Sequence, residues 1–175
     1  MCEISTPRLS LIEFPHTLML ALIKSKQHFA ALSGLKAAPD WPNSDLLDAM
    51  AFIASTVQAE PELAAWTRLF VLKDPILVVG EAGFKGLPDA DGVVEIGYGV
   101  AQSHRGIGLA TEAVLAMCTW AFQQPGVRRI IAECLPENTS SMRLLQRSGF
   151  TQTNSDAAML RWQLPQQIPA ARCVH

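Results

Sequence analysis

Charge is the first thing this chain is short of. Lys, Arg, Asp and Glu make up 17% of its 175 residues, where a soluble domain usually carries about 25%. The balance is −2 and no run of like charge occurs, so neither a nucleic-acid face nor an acidic tail is indicated. Long hydrophobic runs are lacking as well. "LMLALI" near the start is far below the ~18 apolar residues of a membrane span. "MCEISTPRLS" has no basic start followed by an apolar segment, so no secretory signal is expected and the chain is placed in the cytoplasm. The four cysteines, Cys2, Cys118, Cys134 and Cys173, form no C-x-x-C pair, and His16, His28, His104 and His175 have no ligand spacing. No metal site is expected, and the thiols are read as reduced.

Apolar residues are plentiful, at 49%. A buried homodimer face is one account of so apolar a composition and a pocket lined by apolar residues is another; composition does not choose between them. The length suits one domain with a full core, drawn here as residues 1–164, with a loose tail over 165–175 that has two prolines and no periodicity. "RLSLIEF" alternates as a strand. "HTLMLALIKSKQHFAAL" reads as one helix ending at Gly34, and "SDLLDAMAFIASTVQAE" as a second, capped by Asn43 or Ser44. Three strands follow: "WTRLFVL", "ILVVGEAGF" after a "KDP" turn, and "VVEIGYGV" after "PDADG". A helix over roughly 109–122, the strand "RRIIAECL", a short helix opened by Asn138 and closed by Gly149, and the strand "AMLRWQL" complete the order β-α-α-β-β-β-α-β-α-β. This is a mixed α/β layer.

Eight of the eleven glycines lie between Gly80 and Gly108, which marks a region where backbone must approach something closely. The crowding ends in "QSHRGIGLATEAV". There Gly106 and Gly108 stand directly before a helix, whose first N–H groups are unpaired and partly positive. Glycines keep side chains away from that end, and Arg105 and His104 add charge at its rim, so the stretch suits a phosphate-sized anion. The plainer reading is a tight strand-to-helix turn. The stretch is neither a P-loop, since no Gly-Lys-Ser/Thr follows, nor a dinucleotide fingerprint, since Thr111 stands where G-x-G-x-x-G needs its third glycine.

"RGIGLA" resembles the R/Q-x-x-G-x-G/A signature of the GNAT superfamily of acyl-CoA N-acyltransferases, with Arg105, Gly108 and Ala110 in its fixed places. "TPRLSL", "WPNSDLLDAMAFI", "VVEIGYGVAQSHRGIGLATEAV" and "AECLPENTSSMRLLQRSGF" are similar, in the same order, to the branch that holds ribosomal-protein N-terminal acetyltransferases. The resemblance implies a mostly antiparallel sheet of six to seven strands, flanked by helices and splayed between the strands at 93–100 and 128–135. It implies that acetyl-CoA is the co-substrate. The pyrophosphate would lie on Arg105, Gly106, Ile107, Gly108, Leu109 and Ala110, and the pantetheine along Tyr98, Gly99 and Val100, where Gly97 and Gly99 suit a β-bulge. It implies an amine acceptor, a protein N-terminus or a small molecule; a non-catalytic acyl-CoA-binding module is the alternative.

An alkyl amine is mostly protonated at pH 7, so the reaction needs a base and then a donor to the leaving thiolate. Glu95 is the expected base, on the face it shares with Gly97 and Gly99; Glu133, on the neighbouring strand, is its rival. Asn138 reads as a helix cap, and the resemblance adds a bond to coenzyme or water. Ser141 stands where many relatives carry a tyrosine donor, and Tyr98, the only tyrosine, is the alternative. Cys134 reads as core. Trp41 either lines an acceptor pocket or anchors its loop.

Overall fold

The computed structural model describes residues 3–155 and 158–166. One sheet of eight strands is built from β1 (Ile4–Ser5), β2 (Leu9–Glu13), β3 (Thr67–Lys73), β4 (Ile76–Phe84), β5 (Val93–Val100), β6 (Arg129–Cys134), β7 (Thr151–Ser155) and β8 (Leu160–Pro165). They lie in the order β1-β2-β3-β4-β5-β6-β8-β7. The count exceeds the expected six to seven because β1 has only two residues, and because the polar edge strand "TQTNS" shows no apolar alternation. Residues 167–175 of the expected tail lie outside the described residues.

Neighbouring strands are antiparallel except β5 and β6. These two run parallel and pair only at Val93, Val94 and Glu95 with Arg129, Ile130 and Ile131. Beyond Glu95 they diverge, which is the splay implied by the resemblance to the GNAT superfamily. The bulge expected at Gly97 and Gly99 is absent. Gly80 to Phe84 pair in unbroken register with Val100 back to Ile96, and the register shift falls instead between Phe70 and Val71 on β3. The glycines of β5 therefore serve a purpose other than bending the strand.

Helices cover both faces: α1 (His16–Lys24), α2 (Lys26–Ser33), α3 (Ser44–Ala59), α4 (Leu109–Ala121) and α5 (Thr139–Arg147). The single helix read over "HTLMLALIKSKQHFAAL" is two. Ser25 is extended, ends α1, and accepts the His28 N–H on its Oγ at 3.1 Å, so it caps α2. Gly34 closes α2 at φ 72°, the left-handed cap that glycine adopts without a Cβ penalty. Asn43 caps α3 through a 2.9 Å bond from Leu46 N. Phe14, Phe29 and Trp41 pack in series, Phe14 edge-to-face on Phe29 at 6.3 Å and Phe29 tilted against Trp41 at 5.6 Å between centroids, beneath α1–α3. On the other face Trp120 of α4 packs on Trp66 at 5.0 Å. Among the described residues no helix is long and apolar enough to cross a membrane.

Candidate active site

Alternation along β5 sends Tyr98 toward α5 and turns Gly97 and Gly99 the other way, toward α3. At the end of β5 the chain makes its glycine turn. Gly106 and Gly108 take φ of 79° and 84°, left-handed values that side chains resist. Gly108 is the N-cap residue of α4, and the first helical bond runs from Glu112 N to Gly108 O. The N–H groups of the first turn are thus left for a ligand. The turn is held from outside. Arg8 donates to Ile107 O at 2.8 Å and to Glu112 at 2.7 Å, and Thr6 Oγ1 donates to Glu112 at 2.6 Å. Burial pushes the Glu112 carboxyl up, but these bonds prevail and hold it below its ordinary value. Arg105 bonds back to Val100 O at 3.1 Å, and Ser103 fastens Asp40 to the turn with two 2.7 Å bonds.

The splay opens a cavity of about 290 Å³, lined by Tyr98, Gly97, Cys134, Asn138, Ser141 and Glu133 among others. Asn138 caps α5, its Oδ1 accepting from Ser141 N at 3.0 Å. The Ser141 hydroxyl lies 2.6 Å from that of Tyr98. Burial, only partly offset by that bond, pushes the Tyr98 phenol up to about 12. The two residues weighed as rival donors are one hydroxyl pair. Glu133 is bound to Arg161 at 3.1 Å. The buried Cys134 thiol shares this wall, whereas Cys118 lies in the core, where burial pushes its thiol up to about 12.

A second cavity, of about 580 Å³, lies under α3 on the opposite face. Its walls are Leu46, Met50, Ile53 and Val57 of α3 with Phe14 and Leu63; its floor is Gly83, Gly97, Gly99 and Glu81. Much of the apolar face of α3 is thus a cavity wall. Such a pocket is of the size and character that takes small organic ligands. The two cavities share Lys85, Gly97 and Tyr98. Glu95 lines neither; its carboxylate is paired with Lys85.

The family model that matches is an acetyltransferase (GNAT) domain, over residues 18–151. The chain belongs to the GNAT acetyltransferase family. The uncharacterized N-acetyltransferase YjdG of Bacillus subtilis is 32% identical to this GNAT chain over 165 residues, 91% of the one and 95% of the other. The ribosomal-protein-serine acetyltransferase of Escherichia coli is 26% identical over 85 residues, 49% of this chain and 48% of that one. RimL, a ribosomal L7/L12 alpha-N-protein acetyltransferase solved in complex with coenzyme A, shares the fold: TM-score 0.66 over 94% of this chain and 98% of its own, at 17% identity. GNAT enzymes use acetyl-CoA, and this GNAT protein is an acetyl-CoA-dependent N-acetyltransferase.

One residue of this acetyltransferase's site escaped the sequence reading. Glu81 is buried, with its carboxylate against Gly99 and bonded by the indole N–H of Trp41. A Cβ on Gly99 would overlap the Glu81 carboxylate, so the glycine makes room for the acid. The available signal was an acid between glycines in the otherwise uncharged strand "ILVVGEAGF". Trp41 is 1% exposed and does not line the cavity; it reaches the cavity through Glu81.

Proposed function

We propose that the protein moves the acetyl group of acetyl-CoA to a primary amine in one step, within a ternary complex. The observation that carries this reading is the meeting of two cavities at Gly97 and Tyr98. Pyrophosphate is held by residues 105–110, with Asn138 beside the coenzyme. Pantetheine follows Tyr98, Gly99 and Val100 into the splay, and the amine approaches from under α3. Nitrogen attacks the thioester carbon, a carboxylate takes the proton, the C–S bond breaks, and the thiolate departs beside Tyr98 and Ser141. A phenol at about 12 keeps its proton against a thiolate whose acid form sits near ~8.5. The hydroxyl pair therefore stabilises sulfur by hydrogen bonding, and water supplies the proton. Glu95 and Glu133 remain in the reading as carboxylates beside the site, each already paired with a cation. A cytoplasmic setting, where Cys118 and Cys134 stay reduced, belongs to the same proposal.

The acceptor is a protein N-terminus or a small amine. The similarity to ribosomal-protein acetyltransferases favours the first; the apolar lining of the cavity favours the second. The test is a panel of amines and peptides with acetyl-CoA, read as free thiol released, beside a melting curve with and without acetyl-CoA. At 100 times Kd the coenzyme adds about 2.7 kcal/mol to the folded state. Stabilisation without thiol release on any acceptor would leave an acyl-CoA-binding module; no stabilisation at all would sink both readings.

A further inference from the structure

Glu81 has no task in the reaction as described so far. It sits at the floor of the apolar cavity, where its neighbours are Gly99 and the indole of Trp41. A carboxylate desolvated among Phe14, Met50 and Leu63 is costly unless it is neutral or paired with a cation. The other acids near the junction are already committed, Glu95 to Lys85 and Glu133 to Arg161. Among the described residues, the Glu81 carboxylate is held by a neutral N–H alone.

We infer that Glu81 receives the acceptor's ammonium group and takes the proton from the attacking nitrogen, and that the acceptor is an amine carried on an apolar body seated under α3. This rests on the acetyl-transfer reading above. The step balances: the ammonium gives one proton to Glu81 and becomes the neutral amine that attacks, nitrogen gains the acetyl carbon and gives its second proton to water, sulfur keeps the C–S pair as thiolate and is protonated from water, and Glu81 later passes its own proton to water.

The electrostatic setting supports this role. Burial pushes the Glu81 carboxyl up to about 7, against the Trp41 bond that lowers it. A base at that value is half ionised near neutral pH, where a general base works best. The titratable groups that share the cavity are Asp45 on α3, Lys85 beyond β4 and Tyr98 on β5. On β3, Glu81 is opposite Leu69, while Arg68 turns toward Trp120 and Glu13. Asp40, beside Trp41, is bound to Ser103. Trp41 is therefore a positioning residue: it aims the carboxylate and, against the larger effect of burial, holds its pKa down.

The experiment measures kcat and KM from pH 5.5 to 9 for the wild type, Glu81→Gln and Trp41→Phe. Phenethylamine and a peptide beginning with Leu are compared with ethanolamine and a peptide beginning with Asp. Wild type should show an acidic limb near pH 7 and prefer the apolar acceptors by about tenfold or more in kcat/KM, a difference of roughly 1.4 kcal/mol. Glu81→Gln should lower kcat by ~10²–10⁴-fold and lose the limb, with the acetyl-CoA melting shift intact. Trp41→Phe keeps an aromatic ring against Phe29 but removes the N–H, so its limb should move to higher pH. If Glu81→Gln does not fold, this second shift decides the matter. A wild type that acetylates amines while Glu81→Gln keeps its rate and limb, or while Trp41→Phe leaves the limb in place, would overturn the role of Glu81 alone. Preference for the polar acceptors would overturn the apolar class. A wild type that acetylates nothing would overturn the underlying reading and this inference with it.

Discussion

Ser141 and Tyr98 show how two side chains from distant parts of the chain become one functional group. Their hydroxyls are 2.6 Å apart, so removing either leaves the other without its protein partner in a half-buried site. A net hydrogen bond of this kind contributes about 1 ± 0.5 kcal/mol. Ser141→Ala and Tyr98→Phe should each lower kcat about 2- to 13-fold, and the double variant should cost clearly less than the product of the two. Additive losses in that double-mutant cycle would mean the hydroxyls act separately. Asn138 and Tyr98 could be singled out in the sequence, because a helix-cap position and a single tyrosine mark them locally; Ser141 was singled out by the family resemblance alone. Glu81 was not. One acid in an apolar strand reads alike whether it faces solvent, an ion pair or a cavity, and only strand pairing brings it onto Gly99. Trp41 had two readings for the same reason: its loop has no period, and its partner lies 40 residues away.

At the scale of elements, the unit that matters is β5, its turn and α4. It was legible because each part has a local cause: alternation in the strand, positive φ at two glycines, and an amphipathic run after them. The break between α1 and α2 was not, because the apolar pattern runs through Ser25 and neither Gly nor Pro marks it. What the sequence concealed about the turn is the clamp on it. Thr6 and Arg8, more than a hundred residues away, converge on Glu112. Bonds to a charged group contribute about 1.5–3 kcal/mol each before context reduces them. Glu112→Ala should therefore lower stability by about 1–3 kcal/mol and weaken coenzyme binding through a looser turn. Gly108→Asp should act differently. Its Cβ would come 3.4 Å from Arg8 Nη2, and its charge would oppose pyrophosphate, so binding should fall by far more than stability. Calorimetry with coenzyme A beside urea melts separates the two. A folded Gly108→Asp protein with wild-type affinity would remove the phosphate from this turn.

Across the whole molecule, sparse charge and high apolar content find part of their explanation in the cavity under α3, so composition alone no longer calls for a second copy of the chain. The same cavity sets an expectation for stability against pH. Glu81 rises from an ordinary 4.5 to about 7 on folding. A carboxyl raised on folding binds its proton more tightly in the native state, so its contribution is fully present below about pH 4.5 and is lost as pH climbs through about 7. At ~1.36 kcal/mol per unit the loss is of the order of 3 kcal/mol, or roughly 6–12 °C in Tm for a domain of this size. Glu112 acts with the opposite sign: its depressed carboxyl stabilises the fold above its ordinary value and is lost in stronger acid. Wild-type Tm should therefore fall between pH 5 and pH 8. The Glu81→Gln variant, which has no charge to desolvate, should melt near the wild type at pH 5 and above it at pH 8. Saturating the cavity with an apolar amine should restore part of the wild-type loss, because the ammonium pairs with the buried carboxylate. Melting curves of the two proteins that run parallel from pH 5 to pH 8 would show that the Glu81 carboxylate is solvated, and the stability cost of placing it in the cavity would vanish.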